Sequence, residues 1–353
     1  MLRRARAARL QRTAALLVSA LFAMPALAGC GATSSEGAGP GTRLEMHIGV
    51  QSLVLQTFYP QLAEDLGYFD DENLDVTISV GESTSNSVQG LLGGSIDAYL
   101  GGPEGLSANE QGADLRFVVA AANRSIWNVV AAPGTKSIKD LEGKSIGVSA
   151  IQSISTATTR QALAAHGVNV KKLKYIVAGG TSKRFAALEA DRIAAAPLGI
   201  PVNYQASESS GLVDLGNTND LGAPVLVAAC VTVSDKWATS HEEELKRFLR
   251  GYQRAVNALY DPKMTDKIVQ IAGKRLQIEP QYVKRAIQEL FFDKETAGDL
   301  MPKDARIDRA GLVTAMEAFM EYGALKKKVD PSSVVDESYL DAAQKSLKED
   351  PPK

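Results

Sequence analysis

Alternating apolar residues mark where the folded chain begins. Leu44, Met46, Ile48 and Val50 occupy every second position of Leu44–Val50, the period of a strand with one buried face. Val76, Ile78 and Val80 repeat the pattern in Asp75–Val80, and Ile96–Leu100 forms a third short apolar run. Helical stretches lie between them: Phe58–Leu66, stopped at Gly67, and Asn86–Leu92, stopped at Gly93-Gly94. Strands split by helices predict βαβ units and a parallel sheet. Each strand runs into a turn of small polar residues, at Gln51-Ser52, Gly81–Ser85 and Gly101-Gly102-Pro103. In such sheets ligands gather outside the carboxyl ends of the strands, where turns and helix N-termini converge. These turns are the candidate site.

The pattern continues with a helix at Pro103–Gln111 and strands at Leu115–Ala121 and Ile126–Ala132, parted by Asn123-Arg124-Ser125. Pro133-Gly134 is a break, and the alternation restarts after it. A short helical turn is expected at Ile138–Glu142, strands at Ser145–Ser149 and Lys174–Val177, and helices at Thr156–His166 and from Ser182 to Ala190. Weaker strands follow at Ile193–Ala196 and Gly211–Leu215, then a stronger one at Val225–Val233. Beyond Lys236 the chain reads as helices: His241–Tyr260, Asp266–Gly273, Glu279–Phe292, Arg309–Tyr322 and Glu337–Leu347. Gly81–Ala98 and Gly179–Ala195 share one order: glycine, polar turn, helix, short strand. This faint repeat suggests two similarly wound lobes facing one another.

Composition adds an address. The 353 residues exceed what one compact core usually holds. Arg3, Arg4, Arg6, Arg9 and Arg12 precede a mostly apolar run, Thr13–Pro25, and then Leu27-Ala28-Gly29-Cys30. The run is too short to span a bilayer and ends in small residues, as a secretory signal does. Leu-Ala-Gly-Cys resembles a bacterial lipobox, which implies that Cys30 is acylated and becomes the N-terminus. Gly31–Gly41 is rich in Gly and Ser and suits a flexible tether over residues 30–43. Removing Met1–Gly29 takes away five Arg and no acid, leaving 34 basic against 41 acidic residues, a balance of −7. No basic patch favours a nucleic-acid partner. Cys230 lies in an apolar run and reads as a buried structural thiol. His47, His166 and His241 show no metal-ligand spacing, and no nucleophile motif or phosphate-binding loop appears.

Three segments carry a family resemblance. They are Asp65-Leu66-Gly67-Tyr68-Phe69 with Glu72-Asn73-Leu74-Asp75-Val76, then Leu91-Leu92-Gly93-Gly94-Ser95-Ile96-Asp97-Ala98, then Lys136–Val148 with its Asp140-Leu141-Glu142-Gly143-Lys144-Ser145-Ile146-Gly147-Val148. In order and spacing they resemble the nitrate/sulfonate/taurine-type solute-binding proteins of ABC importers, close to the thiamine-pyrimidine-precursor group. The resemblance spans about Leu44 to Val233. It implies an α/β, two-lobe periplasmic-binding-protein fold of type II, with a βαβ sheet and flanking helices in each lobe and two crossover strands as the hinge. The implied lobes are residues 44–132 with 235–353, and 133–234. Ala194 departs from the family, which usually has Asp there.

Carried onto this chain, the family's pocket draws on the first turn (Gln51, Gln56, Thr57, Phe58), on Ser83 and Thr84, on Gly102 and Pro103, and on Asn123 and Trp127. The second lobe supplies Gln152, Ser153, Ser155, Thr156, Gly180, Thr181 and Leu198. Small residues let backbone N–H groups approach a ligand, but Ser153, Ser155 and Thr156 serve equally well as helix caps. Phe58, Tyr59 and Trp127 are either core residues or stacking walls. Arg124, Lys183 and Arg184 suit an anion, Glu82 and Glu104 a cation. No unambiguous basic pair flanks the turns, which favours a neutral or mixed-charge organic ligand, although helix N-termini alone can hold anions.

The resemblance thus implies an extracytoplasmic, lipid-anchored, monomeric receptor. It would need no cofactor or metal, close by a hinge on a small molecule and dock on the importer permease. The alternatives are a pyrimidine-synthase-like enzyme on the same fold, disfavoured by the absence of a Cys cluster, and a partner that presents its ligand to a membrane sensor.

Overall fold

The computed structural model describes residues 43–81, 83–293 and 301–350. The signal segment, Cys30, the tether up to residue 42 and Glu82 lie outside the described residues. All described residues belong to one compact unit, Ala38–Lys353.

Among the described residues ten strands build two sheets of five. The first contains β1 (Leu44–Val50), β2 (Leu74–Val80), β3 (Ala98–Gly101), β4 (Leu115–Ala122) and β10 (Ala229–Ser234). The second contains β5 (Trp127–Ala131), β6 (Ser145–Val148), β7 (Lys174–Val177), β8 (Ala195–Gly199) and β9 (Val213–Asn217). Their orders are β2-β1-β3-β10-β4 and β7-β6-β8-β5-β9. In each, three parallel strands are followed by one antiparallel strand that arrives from the other part of the chain. The chain therefore has the two-lobe, α/β periplasmic-binding-protein fold, wound twice in the same sense.

The repeat seen in the sequence reappears as matching registers. Ile48 pairs with Ala98 and Ile146 with Ala195. Asp97 and Ala194 take corresponding places, and their N–H groups donate to the carbonyls of His47 and Ser145. In the first lobe the Asp97 carboxylate also accepts the His47 N–H at 2.7 Å. In the second the Ser145 hydroxyl accepts the Ala194 N–H at 3.1 Å, so a hydrogen bond survives without the acid.

The expected lobe boundaries need correction. β5 lies wholly in the second sheet, antiparallel to β8 and β9, and β10 lies wholly in the first. The chain crosses at residues 123–126 and 218–228, not near Ala132 and Val231. Apolar periodicity identifies a strand but carries no information on its partner, and here pairing decides. The two connections are tied together: Ser125 and Thr218 share a hydroxyl contact at 2.7 Å, and Asn219 accepts the Ser125 N–H at 3.0 Å.

The longest described helix, Glu242–Leu259, carries Leu245, Phe248, Leu249, Tyr252, Val256 and Leu259 on its buried face. This is the spacing of an amphipathic helix laid on a core. Tyr252 reaches the Ala120 carbonyl at 3.0 Å, and its ring lies 4.9 Å from that of Tyr59. The C-terminal helix Ser338–Glu349 packs on this helix, and Phe117 of β4 exchanges backbone hydrogen bonds with Val334 and Asp336. Residues 331–350 are thus part of the body. Cys230 is a free, buried thiol in β10, and burial pushes its pKa up.

Candidate functional site

The turns at the strand ends meet across the gap between the sheets. Gln51, just past β1, is buried and donates from Nε2 to Thr84 Oγ1 at 2.8 Å. Thr84 begins the helix Thr84–Leu92 and donates across the gap to Ser149 Oγ at 3.1 Å. Ser149 follows β6 and donates to Ser153 Oγ at 3.0 Å. Ser153 caps the helix Ile154–Ala165, and Ser155 and Thr156 lie 3.2 and 2.9 Å from its hydroxyl. A line of buried polar side chains thereby joins the first turn of one lobe to a helix start of the other.

A second contact runs beside the first. Glu104, on the turn after β3, accepts the N–H of Ile154 at 3.0 Å. Its other carboxylate oxygen is buried without a partner. Burial pushes its pKa up to about 7, against the opposing pull of the Ile154 N–H. Gly102 is required for this approach, since a Cβ there would lie 2.6 Å from Ile154 Cγ2. On the opposite side Gly180 faces Ser52, and Gly199 faces Val54, at 3.1 and 2.9 Å from the position of an added Cβ. A cavity of about 390 Å3 opens next to these contacts, lined by Thr84, Glu104, Ala150 and Gln152 among others. That volume suits a small organic molecule.

Of the residues expected at the site, Gln51, Thr84, Ser153, Ser155 and Thr156 come together, with Gly102, Pro103, Gly180 and Thr181 beside them. Ser83 caps its helix by accepting the Asn86 N–H at 3.3 Å. Gln152 lines the cavity and donates to the Gly323 carbonyl at 3.2 Å. The others serve elsewhere. The Thr57 hydroxyl is held within its own turn by the carbonyls of Ser52 and Val54. Phe58, Trp127 and Leu198 are buried members of the main core cluster, which takes the core alternative for both rings. Asn123 bridges the chain crossing to the Arg306 carbonyl and the Asp308 N–H at 2.8 and 3.2 Å.

Two members were not selected from the sequence. Ser149 was visible as the polar end of a predicted strand. Glu104 was noted only as one charge among several, because burial is a tertiary property. Two further polar groups stand out. Gln56 is fully buried and neither atom of its amide has a partner. Arg184 is 2% exposed, and burial alone pushes its pKa down to about 9.

A second cavity, of about 580 Å3, lies beside the chain crossing, between Arg124 and Ser125, Asn128 and Asp214 of the second sheet, Tyr204, and the helix that carries Arg285. Among the described residues no group of three or more His, Cys, Asp or Glu is arranged to hold a metal. Nor is any described helix long and apolar enough to cross a membrane.

The family described as NMT1/THI5 like matches residues 58–264, more than half of the chain. No curated protein matches the sequence. Many solved structures share the fold. A protein of Bordetella bronchiseptica RB50 is 23% identical, with a TM-score of 0.72 over 86% of this chain and 98% of that one. The periplasmic nitrate-binding protein NrtA from Synechocystis PCC 6803 is 13% identical, with a TM-score of 0.73 over 87% of this chain and 90% of that one. The alkanesulfonate-binding protein SsuA from Xanthomonas axonopodis pv. citri, bound to MOPS, is 18% identical, with a TM-score of 0.66 over 83% of this chain and 98% of that one.

Proposed function

Because the chain belongs to the NMT1/THI5-like family, we propose that it is an extracytoplasmic solute receptor that captures a small organic molecule between its lobes and delivers it to an ABC importer. One observation carries the reading: opposed strand-end turns of two similarly wound sheets meet at Thr84–Ser149 and Glu104–Ile154. Contacts that span the gap are made in the closed form and lost in the open one, so a guest that adds to them shifts the population toward closure. The two tied connections at residues 123–126 and 218–228 are the hinge. The polar groups at the gap offer hydroxyl, amide and backbone contacts, which suit capture and release. The structures of solute-binding proteins that share the fold support the same role. In this reading the signal segment exports the chain, Cys30 carries the lipid anchor, and the receptor works as a monomer.

A thermal-shift screen of sulfonates, pyrimidines, aromatic acids and amino-acid-like compounds tests the proposal. A ligand that binds only the folded chain raises its melting temperature, by about 2.7 kcal/mol of added stability at one hundred times Kd. Turnover of a substrate by the purified protein would overturn the receptor reading.

A further inference from the structure

Glu104 is an acid placed where the lobes meet. It stands on the turn after β3, in the first lobe, and its partner, the Ile154 N–H, belongs to the second. Oε1 accepts that N–H at 3.0 Å, while Oε2 is buried with no hydrogen-bond partner. Among the described residues Glu104 is the only ionisable side chain lining the cavity beside the gap, where Thr84, Gln89, Gln111 and Gln152 are neutral.

The groups that face the carboxyl bring it no positive charge. Tyr99 of β3 and Cys230 of β10 are buried, and burial raises both their pKa values, so they stay neutral around pH 7. The helix Thr84–Leu92 presents Thr84 to the same cavity, and the second lobe presents the Ile154 N–H. An ionised carboxylate here is therefore unpaired, which a buried site tolerates poorly. Burial outweighs the pull of the N–H, and the carboxyl keeps its proton up to about 7.

That burial belongs to the closed arrangement. The second lobe supplies both the N–H and the Ile154 side chain, whose Cγ2 lies 2.6 Å from where a Cβ on Gly102 would stand. Parting the lobes takes both away and admits water to the carboxyl, which then titrates near its ordinary value of 4.5. The neighbouring contact across the gap, Thr84 to Ser149, joins two hydroxyls and does not titrate.

Resting on the receptor reading, we propose that closure of the lobes takes up a proton from solvent at Glu104, so that the receptor holds its guest more tightly in acid and releases it as the surroundings become alkaline. Below about 4.5 both forms carry the proton, and closure does not depend on pH at this group. Between that value and about 7 only the closed form carries it, so closure weakens about tenfold for each unit of rising pH. Above about 7 the closed form holds an unpaired charge. From pH 5 to pH 8 the ratio of closed to open should fall roughly 70-fold.

The Ile154 amide reports closure directly. Ile154 is the first residue of the helix Ile154–Ala165, so its N–H has no acceptor within that helix and is protected only by Glu104. The test is hydrogen exchange at this amide in the purified, unliganded full chain from pH 5 to pH 8, with Glu104→Gln measured beside it. Gln offers the same acceptor and never ionises. Comparing the two proteins at each pH cancels the intrinsic exchange rate and every other titrating group. Protection in the parent relative to the variant should fall roughly 70-fold over the range, following the closed-to-open ratio. Small-angle scattering should show the parent opening over the same range while Glu104→Gln keeps its dimensions.

A relative protection that stays flat would overturn the proposal and leave the receptor reading intact, since a guest can close a cleft without a proton. An Ile154 amide unprotected in both proteins at every pH would also overturn it, because the contact would then not be made in solution. The thermal-shift screen decides the receptor reading separately. Should Glu104→Gln not fold, the parent's own protection, corrected for the intrinsic pH dependence of amide exchange, serves in its place, and a flat profile would again overturn the proposal.

Discussion

Glu104 Oε1 accepts the backbone N–H of Ile154 at 3.0 Å, linking the turn after β3 in one lobe to the first residue of a helix in the other. A carboxylate placed at a helix start meets the positive end of the dipole. Burial works against the charge more strongly and pushes the pKa up to about 7. Either protonation state leaves an oxygen to accept the Ile154 N–H.

A pH dependence follows, and its sign is set by which state holds the proton. Folded Glu104 keeps its proton up to about 7, whereas an unfolded carboxyl releases it near its ordinary value of 4.5. The titratable side chains beside it, Tyr99 and Cys230, have pKa values raised by burial and do not ionise in this window. Folding therefore takes up a proton between those values. The stability owed to protonation is complete below about 4.5 and is lost as pH rises through about 7. The stability of the parent relative to Glu104→Gln should fall by about 3 kcal/mol between about pH 4.5 and pH 8. Urea unfolding of both proteins at several pH values checks this, and a difference that stays flat would remove the proposed role of burial.

Gly102 sets how closely the lobes approach. An added Cβ would lie 2.6 Å from Ile154 Cγ2 and 2.7 Å from each carboxylate oxygen of Glu104. Gly102→Ala should force the turn and the helix start apart, at a cost of about 1–3 kcal/mol in a well-packed site. Because the strain falls on the closed form, affinity for any cleft ligand should drop at least tenfold, about 1.4 kcal/mol. Titration of a ligand found by thermal shift measures it. Unchanged affinity in a folded variant would place ligand closure elsewhere.

The membrane anchor is tested through Cys30. Acyl chains contribute about 0.8 kcal/mol for each buried CH2, and firm attachment needs more than one. Cys30→Ser should move the protein from the membrane fraction to the soluble fraction with its melting temperature unchanged. Retention on membranes would rule out the lipid.

Much of this architecture was legible in the sequence because its signals are local. The alternation in Leu44–Val50 predicted β1 with its observed limits, and the run Lys174–Val177 did the same for β7. The recurrence of Gly81–Ala98 at Gly179–Ala195 foretold two sheets of one winding. What failed depends on long-range choices. The sheet that β5 joins is decided by pairing with β8, and Ile193–Ala196 was placed early because β8 runs on through Pro197 to Gly199. At the site, hydroxyl-rich turns were visible as Ser and Thr. The burial that distinguishes Arg184 and Glu104 from solvated charges appears only when distant turns close over them.

Thr84 and Ser149 offer the most direct measure of whether the lobes meet in solution. Thr84→Val keeps the shape but removes the hydroxyl, leaving the Gln51 amide and the Ser149 hydroxyl each short of a partner in buried surroundings. A loss of about 1–3 kcal/mol is expected. Ser149→Ala breaks the same bond from the other side and also the bond to Ser153. Since both variants remove one shared interaction, the double variant should lose less than the sum of the two, by about 0.5–3 kcal/mol. Urea midpoints, with slopes unchanged among the four proteins, give that coupling. Saturating ligand should enlarge it, because the bond exists only while the gap is shut. Strict additivity with and without ligand would mean that this bond is not made in solution, and the closed arrangement would lose its principal support.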